Sequence, residues 1–304
     1  MFGPSSIGRV LRRLHGLRSR DPIPEEFRGW SWWRPPLRPR ASFGLGVSEV
    51  AYRYCPSRRD VWLRRVAGVE APRISNGMAR GRVVHSAFKA SARDVARLFY
   101  EGREPHDIVA LLVSGAESRV GGLLGGGLEG VDGLWELGLR AYKKFVFYWA
   151  SWIEETGQPP WYTEYVVDGS VLGLSSRLRV DALGIGLIVE VKVGQWREDY
   201  PIGLAGYALA LEASHEIPVD YGLVVLVSGD ASRVSFEPVY IGVEERSEFI
   251  RARDEVIEML LSGADPGVPS GGCPSTCPFR EVCGAGGGVV SWREQSSSRA
   301  MVSA

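Results

Sequence analysis

The chain has 304 residues, 45% of them hydrophobic and 24% charged, and its formal net charge at pH 7 is zero. Those values fit a soluble globular protein with a sizeable core, built as one large domain or one domain with an appended lobe. They exclude reading nucleic-acid binding from overall basicity, and no apolar run reaches the roughly 18 residues of a membrane span, so no membrane partner is expected.

The opening stretch, MFGPSSIGRVLRRLHGLRSR, lacks the continuous apolar core of a secretion signal, which leads to the expectation of a cytoplasmic protein. Residues 1–46 read as a basic arm in which Arg9, Arg12, Arg13, Arg18, Arg20, Arg28, Arg34, Arg38 and Arg40 are interleaved with Trp30, Trp32 and Trp33. That mixture suits phosphates and stacked bases, and it equally suits a solvated arm whose tryptophans dock on the body. Asparagine occurs only at Asn76 and glutamine only at Gln158, Gln195 and Gln295, which is compatible with a thermophilic source. A biased genome composition would account for the arginine excess as well.

Residues 47–160 read as a helical lobe. The pattern predicts a helix over Val47–Val66 containing Cys55, a break around Gly68–Pro72, a helix over Met78–Tyr100 carrying His85, and a mostly helical stretch over Pro105–Leu139. Gly121, Gly122, Gly125, Gly126 and Gly127 interrupt that stretch as a loop or hinge without a P-loop lysine. An amphipathic helix follows over Leu134–Glu155, where Trp135, Tyr142, Phe145, Phe147, Tyr148, Trp149 and Trp152 recur at helical spacing and are expected in the core. Pro159-Pro160 ends it.

From Trp161 the pattern turns to β, and residues 161–262 read as the core domain. A strand through Glu164–Val167 precedes RLRVDALGIGLIVEVKV, Arg177–Val193, two apolar strands joined at Gly184-Ile185-Gly186. Asp181 lies near the end of the first strand, and Glu190 and Lys192 share one face of the second. Burying unpaired charges in a central hairpin costs several kcal/mol, so three ionisable groups there call for compensation. Two converging carboxylates make a hard oxygen site suited to Mg²⁺ or Mn²⁺, and a lysine beside them orients water or stabilises negative charge, a constellation for phosphodiester cleavage. Only Lys89, Lys143, Lys144 and Lys192 are lysine among 36 basic residues, so a strand lysine points to a compact, tunable ammonium. A fortuitous E-x-K triplet is the bland alternative. A helix over Asp199–Ala213, strands over Tyr221–Val227 and Val234–Ile241, and a helix over Val243–Leu261 complete a β-β-β-α-β-β-α order: an α+β mixed sheet flanked by helices.

Residues 263–286 hold CPSTCPFREVC, with Cys273, Cys277 and Cys283; the fourth cysteine is Cys55. Thiols stay reduced in a cytoplasmic protein, so this spacing fits a metal centre better than disulfides. Zinc and an iron–sulfur cluster both accept four cysteines. Joining Cys55 to the trio would clasp most of the chain, constraining the unfolded state by about 5 kcal/mol. Residues 287–304 read as a disordered Gly- and Ser-rich tail.

His85 in a helix, Asp181, Glu190-x-Lys192, Tyr207 in the next helix, and one cysteine before with three after form an order that resembles the RecB-like PD-(D/E)xK nucleases with an iron–sulfur clasp. It is most similar to the CRISPR-associated Cas-four family, and within it to the archaeal Csa-one type of type I-A systems, over about Ser48–Gly284. The resemblance implies a restriction-endonuclease-like core and a metal-dependent DNA exonuclease that processes spacer DNA in CRISPR adaptation beside the integrase proteins. Its substrate would be DNA that is single-stranded or has single-stranded ends. His85, Asp181 and Glu190 would bind Mg²⁺ or Mn²⁺, Lys192 would assist the attacking water, and Tyr207 would complete the catalytic set. Cys55, Cys273, Cys277 and Cys283 would hold a [4Fe-4S] cluster, and Glu164 is either a further acidic ligand or a surface glutamate. One position departs from the pattern: Gly203 stands where a glutamine is expected four residues before Tyr207. Gln195 lies too early to replace it, and His15, His106 and His215 are expected to be packing or surface histidines.

Three other readings compete. A non-catalytic iron–sulfur subunit that holds DNA ends is favoured by Gly203. A RecB-like DNA-repair nuclease would need its motor on another chain, since no Walker-type motif is present. A zinc-stabilised DNA-binding protein would be colourless where an iron–sulfur protein is brown.

Overall fold

The structure is a computed structural model that describes residues 4–70, 74–124, 132–184, 186–270, 273 and 277–283. Glycines 125–127, the turn residue Ile185 and the expected tail lie outside the described residues. The chain divides into two compact units, one of residues 1–52 and 76–258, the other of residues 53–75 and 259–304.

The first unit is a mixed sheet with helices against it. Strands β1 (Tyr162–Val167), β2 (Leu178–Gly184), β3 (Leu187–Val193), β4 (Tyr221–Val227) and β5 (Val234–Tyr240) lie side by side in chain order. Neighbours are antiparallel except β3 and β4, which run parallel and therefore need a crossover. Helix α8 (Tyr200–His215) supplies it. The central strands are apolar on both faces, since Ile188, Val189, Val191, Val224 and Val225 are all fully buried.

Helices α4 (Asn76–Tyr100) and α7 (Leu134–Thr156) form the largest helical contact, joined by α5 (Pro105–Ser114) and α6 (Ala116–Gly121). Phe88 of α4 meets Phe145 edge-on at 5.1 Å and Trp149 at 5.4 Å, which fixes one helix on the other through aromatic packing. The two helices approach closely at Gly138, where an added Cβ would stand 3.0 Å from Val83. The aromatic stripe expected on α7 is only partly core: Tyr142, Phe145 and Trp149 are buried, whereas Trp135 and Phe147 face solvent. At 100° per residue Phe147 falls outside the arc of buried residues, whereas Trp135 lies within it but is the second residue of the helix, at its exposed end.

The amino-terminal residues are not a free arm. Residues Pro4–Arg20 form helix α1, against β5 and α7, with Arg9, Arg12, Arg13 and Arg20 on its exposed side. Arg28 is buried with Asp220 and Glu212, the latter at 2.8 Å, whereas Arg18 pairs with Asp220 at 3.0 Å and keeps a side chain that is 42% exposed. Fully buried Arg246 of helix α9 (Val243–Ser262) binds Glu212 and the Phe27 carbonyl, and Arg253 binds the Leu37 carbonyl at 2.6 Å. Residues 21–46 are thereby stitched to the body; of their tryptophans, Trp32 and Trp33 remain exposed.

In place of one helix over Val47–Val66 there are two short ones, α2 (Val47–Ala51) in the first unit and α3 (Arg59–Arg65) in the second. Pro56 lacks the amide that a continuing helix needs, and Arg58 turns to φ 62°, so Cys55 sits in the connection. The second unit packs Leu63, Phe279 and Cys283 with Trp62, Val69, Cys277 and Val282. Among the described residues no helix is long and apolar enough to cross a membrane.

Candidate active site

The β2–β3 ladder runs through Ala182↔Val189, and just beyond it the Asp181 side chain takes over, accepting the Val191 amide on Oδ2 at 2.7 Å. The strands are thus held at the point where the two carboxylates oppose each other. Helix α4 lies over β1 and β3 and brings His85 to this point, its Nδ1 3.0 Å from Asp181 Oδ1. Glu190 is 4% exposed, and its Oε1 accepts from the Lys192 ammonium and, at 3.4 Å, from the Tyr52 hydroxyl. Its Oε2 is buried without a hydrogen-bond partner. An unsatisfied buried carboxylate oxygen is costly, so this atom marks the site.

The charges are strongly coupled. Burial would raise the Asp181 pKa, but His85 and Lys192 outweigh it and hold Asp181 below its ordinary value. Glu190 goes the other way: burial raises it, and Asp181 adds to this against the lowering by Lys192. Burial would lower Lys192, yet Glu190 and Asp181 carry it above the ordinary lysine range, so it is a fixed ammonium and not a proton acceptor. His85 is likewise raised, burial being outweighed by Asp181. Tyr207 faces the same groups from α8, and burial followed by Glu190 and Asp181 keeps its phenol neutral.

His85, Asp181, Glu190, Lys192 and Tyr207 are therefore brought together. Tyr52 and Tyr200 were not legible as site residues: their rings lie 4.6 and 5.7 Å from the Lys192 nitrogen, and no spacing in the sequence marks either. Glu164 has left-handed backbone (φ 59°), and its Oε2 is shared by Lys89 at 3.2 Å and Arg179 at 3.1 Å, so its charge is spent on cations. Gln195 is exposed. His15 and His215 bond Tyr221 and Tyr165, and His106 lies on the surface beside Asp107.

In the second unit all four cysteines are free thiols, with Cys55 and Cys283 buried. Burial, then the neighbouring thiols of Cys283, Cys277 and Cys55, raise Cys273, and Cys277 is raised by burial and by Cys55 and Cys283 among others. Cys55 thus lies within electrostatic reach of Cys273 and Cys277. Arg59 donates to Cys283 Sγ at 3.2 Å and to its carbonyl at 2.6 Å while pairing with Asp265. Among the described residues no three His, Cys, Asp or Glu side chains are already gathered as a metal-holding group.

The fold and site define a mixed α+β protein whose five-stranded sheet, flanked by helices, gathers two carboxylates, a histidine and a lysine at one point. The family model described as CRISPR-associated exonuclease Csa1 matches residues 1–287. A curated relative of that description from Thermoproteus tenax is 32% identical over 283 residues, covering 91% of this chain and 97% of its own. Another from Saccharolobus solfataricus is 31% identical over 276 residues, covering 86% and 92%. The chain belongs to the CRISPR-associated exonuclease Csa1 family.

Proposed function

We propose that this protein is a metal-dependent DNA exonuclease that trims DNA with single-stranded ends for spacer acquisition in CRISPR adaptation. In this reading the core is of the RecB-like PD-(D/E)xK type, the chain works beside the integrase proteins, and it belongs with the Cas-four proteins of type I-A systems. The observation that carries the reading is Glu190 Oε2, a buried carboxylate oxygen with no partner beside Asp181 and a fixed ammonium.

The donor set fits a divalent cation: two carboxylates and an imidazole within one cluster, with Glu190 destabilised as an anion until positive charge neutralises it. His85, Asp181 and Glu190 would hold Mg²⁺ or Mn²⁺. The His85–Asp181 hydrogen bond uses Nδ1 and Oδ1, so the second ring nitrogen of His85 and the remaining carboxylate lone pairs are the groups that would serve the ion. The bound ion would polarise the scissile phosphate and acidify water. Lys192, fully protonated, orients the nucleophile and stabilises the charge that builds on phosphate oxygens; the Tyr207 hydroxyl stays protonated and available as a donor.

The four free thiols fit a [4Fe-4S] cluster, since the sequence-distant Cys55 lies within electrostatic reach of Cys273 and Cys277, and Arg59 already donates to a thiol sulfur. Iron and sulfide analysis of anaerobically purified protein distinguishes this from zinc.

The test is degradation of end-labelled single-stranded DNA with Mn²⁺ by brown, anaerobically purified wild type beside Lys192→Ala. Cleavage by wild type alone is expected. Equal cleavage by both, or none by cluster-loaded wild type, overturns the assignment.

A further inference from the structure

Tyr52 ends helix α2 and is 4% exposed, yet it belongs to the charged cluster more than to the apolar core. Its ring faces the Lys192 nitrogen at 4.6 Å, its hydroxyl reaches Glu190 Oε1 at 3.4 Å, and Tyr200 braces it edge-on at 6.0 Å. Cation–π attraction and a hydrogen bond from one side chain thus act on both members of the Glu190–Lys192 pair. Helix α8 makes the space for it. A Cβ on Gly203 would stand 2.4 Å from the Tyr52 hydroxyl oxygen and 2.9 Å from Cζ, closer than real Cβ contacts allow. The φ of Gly203 is that of an ordinary helix, so its missing side chain is explained by this approach and not by backbone need.

We propose that Tyr52 is the positioning residue that sets the Glu190–Lys192 pair, in the space that a side chain at position 203 would fill. The inference rests on the nuclease reading only for its kinetic readout. Tyr52 touches no reacting atom; it holds the carboxylate and the ammonium that do the work. Gly203 is its counterpart, the residue whose bareness lets the hydroxyl in.

The experiment uses the full-length, cluster-loaded protein as Tyr52→Phe, Gly203→Ala and the double variant, with Tyr52→Ala beside them. Tyr52→Phe keeps the ring and removes one hydrogen bond, so kcat should fall about 3- to 10-fold with KM unchanged. Tyr52→Ala frees both partners and should lower kcat about 100-fold. Gly203→Ala should lower kcat at least as much as Tyr52→Phe by pushing the hydroxyl off Glu190, and the melting temperature should fall, because the clash with a buried ring outweighs the helix preference of alanine. In the double variant the two losses should not multiply, because both act on one contact. Unchanged kcat in Tyr52→Ala, or independent, multiplying losses in the double variant, overturns the proposal.

A second readout does not depend on activity. The chain has four lysines, Lys89, Lys143, Lys144 and Lys192, so ¹³Cε-lysine labelling gives a spectrum in which Lys192 can be assigned by Lys192→Arg. Ring currents should displace its signal, and Tyr52→Ala should return it toward the other three. A signal that does not move between wild type and Tyr52→Ala overturns the placement of Tyr52. If wild type degrades no DNA while the signal moves, the nuclease reading fails and the placement stands.

Discussion

His85 and Asp181 form an ion pair at 3.0 Å, and under the proposed function the same two side chains would hold the metal. The His85 pKa is raised, so its contribution to stability is complete below its ordinary value near 6.5 and is lost as pH rises through the folded value. The Asp181 pKa is lowered, so its contribution is present above its ordinary value near 3.9 and is lost as pH falls through the folded value. In chelator-treated protein the stability difference between wild type and His85→Gln should therefore shrink as pH rises from about 6.5 through the raised His85 value, as urea unfolding would record. A difference that stays flat or grows contradicts the pairing. Replacing Glu190 with Gln keeps the shape but removes the anion, and cleavage with Mn²⁺ should drop by at least about 100-fold while the fold and the iron content stay unchanged. Of this cluster, Asp181, Glu190 and Lys192 were legible in the sequence because charges interrupt an apolar alternation. His85 was legible only through resemblance, and Tyr52 not at all: a tyrosine at a helix end has no periodic signature, and its role depends on a glycine about 150 residues away.

At the scale of elements, two interfaces decide where the site residues stand. The first is α4 on α7, which presents His85 and Lys89 one helical turn apart toward the sheet. Phe88→Ala removes the ring shared by Phe145 and Trp149 and should destabilise the protein by about 3–5 kcal/mol, measured by denaturant unfolding. The second is α9 against the amino-terminal segment through Arg246, which is fully buried with Glu212. Arg246→Met leaves Glu212 paired only with Arg28 among the ion pairs it makes, and should cost about 3–5 kcal/mol. Its signature should be local as well as global, with protease cuts or fast amide exchange appearing first over residues 21–46. The helices and strands around these interfaces follow the hydrophobic periods of the sequence within a residue or two, from Met78–Tyr100 to Val243–Leu261. The exception is residues 47–66, where apolar spacing alone suggests one helix while Pro56 and the turn at Arg58 divide it. Burial of Arg28, Arg246 and Arg253 was also hidden, because an arginine reads as surface until its carboxylate and carbonyl partners are assembled around it.

At the scale of the whole molecule the chain folds as two units, and the second draws residues from two distant stretches of the sequence, 53–75 and 259–304. A cluster on Cys55, Cys273, Cys277 and Cys283 would close that long loop, so Cys55→Ser should remove the brown colour and, in anaerobic unfolding, lower stability by up to about 5 kcal/mol. A colourless variant as stable as wild type would show that the cysteines tie nothing together. The sequence by itself determined the α+β class, the order of the strands, the hairpin with its carboxylates and lysine, and the cysteine count, because period-two and helical patterns, charge in an apolar run and thiol spacing are local properties. Only the tertiary structure decided that the amino-terminal arginines split between an exposed helix and buried ion pairs, that Glu164 is neutralised by Lys89 and Arg179, and that Gly203 makes way for Tyr52. Each of these depends on which side chains from distant segments share one desolvated space, where a partner's presence changes the free energy of a charge or a hydroxyl by more than any local preference.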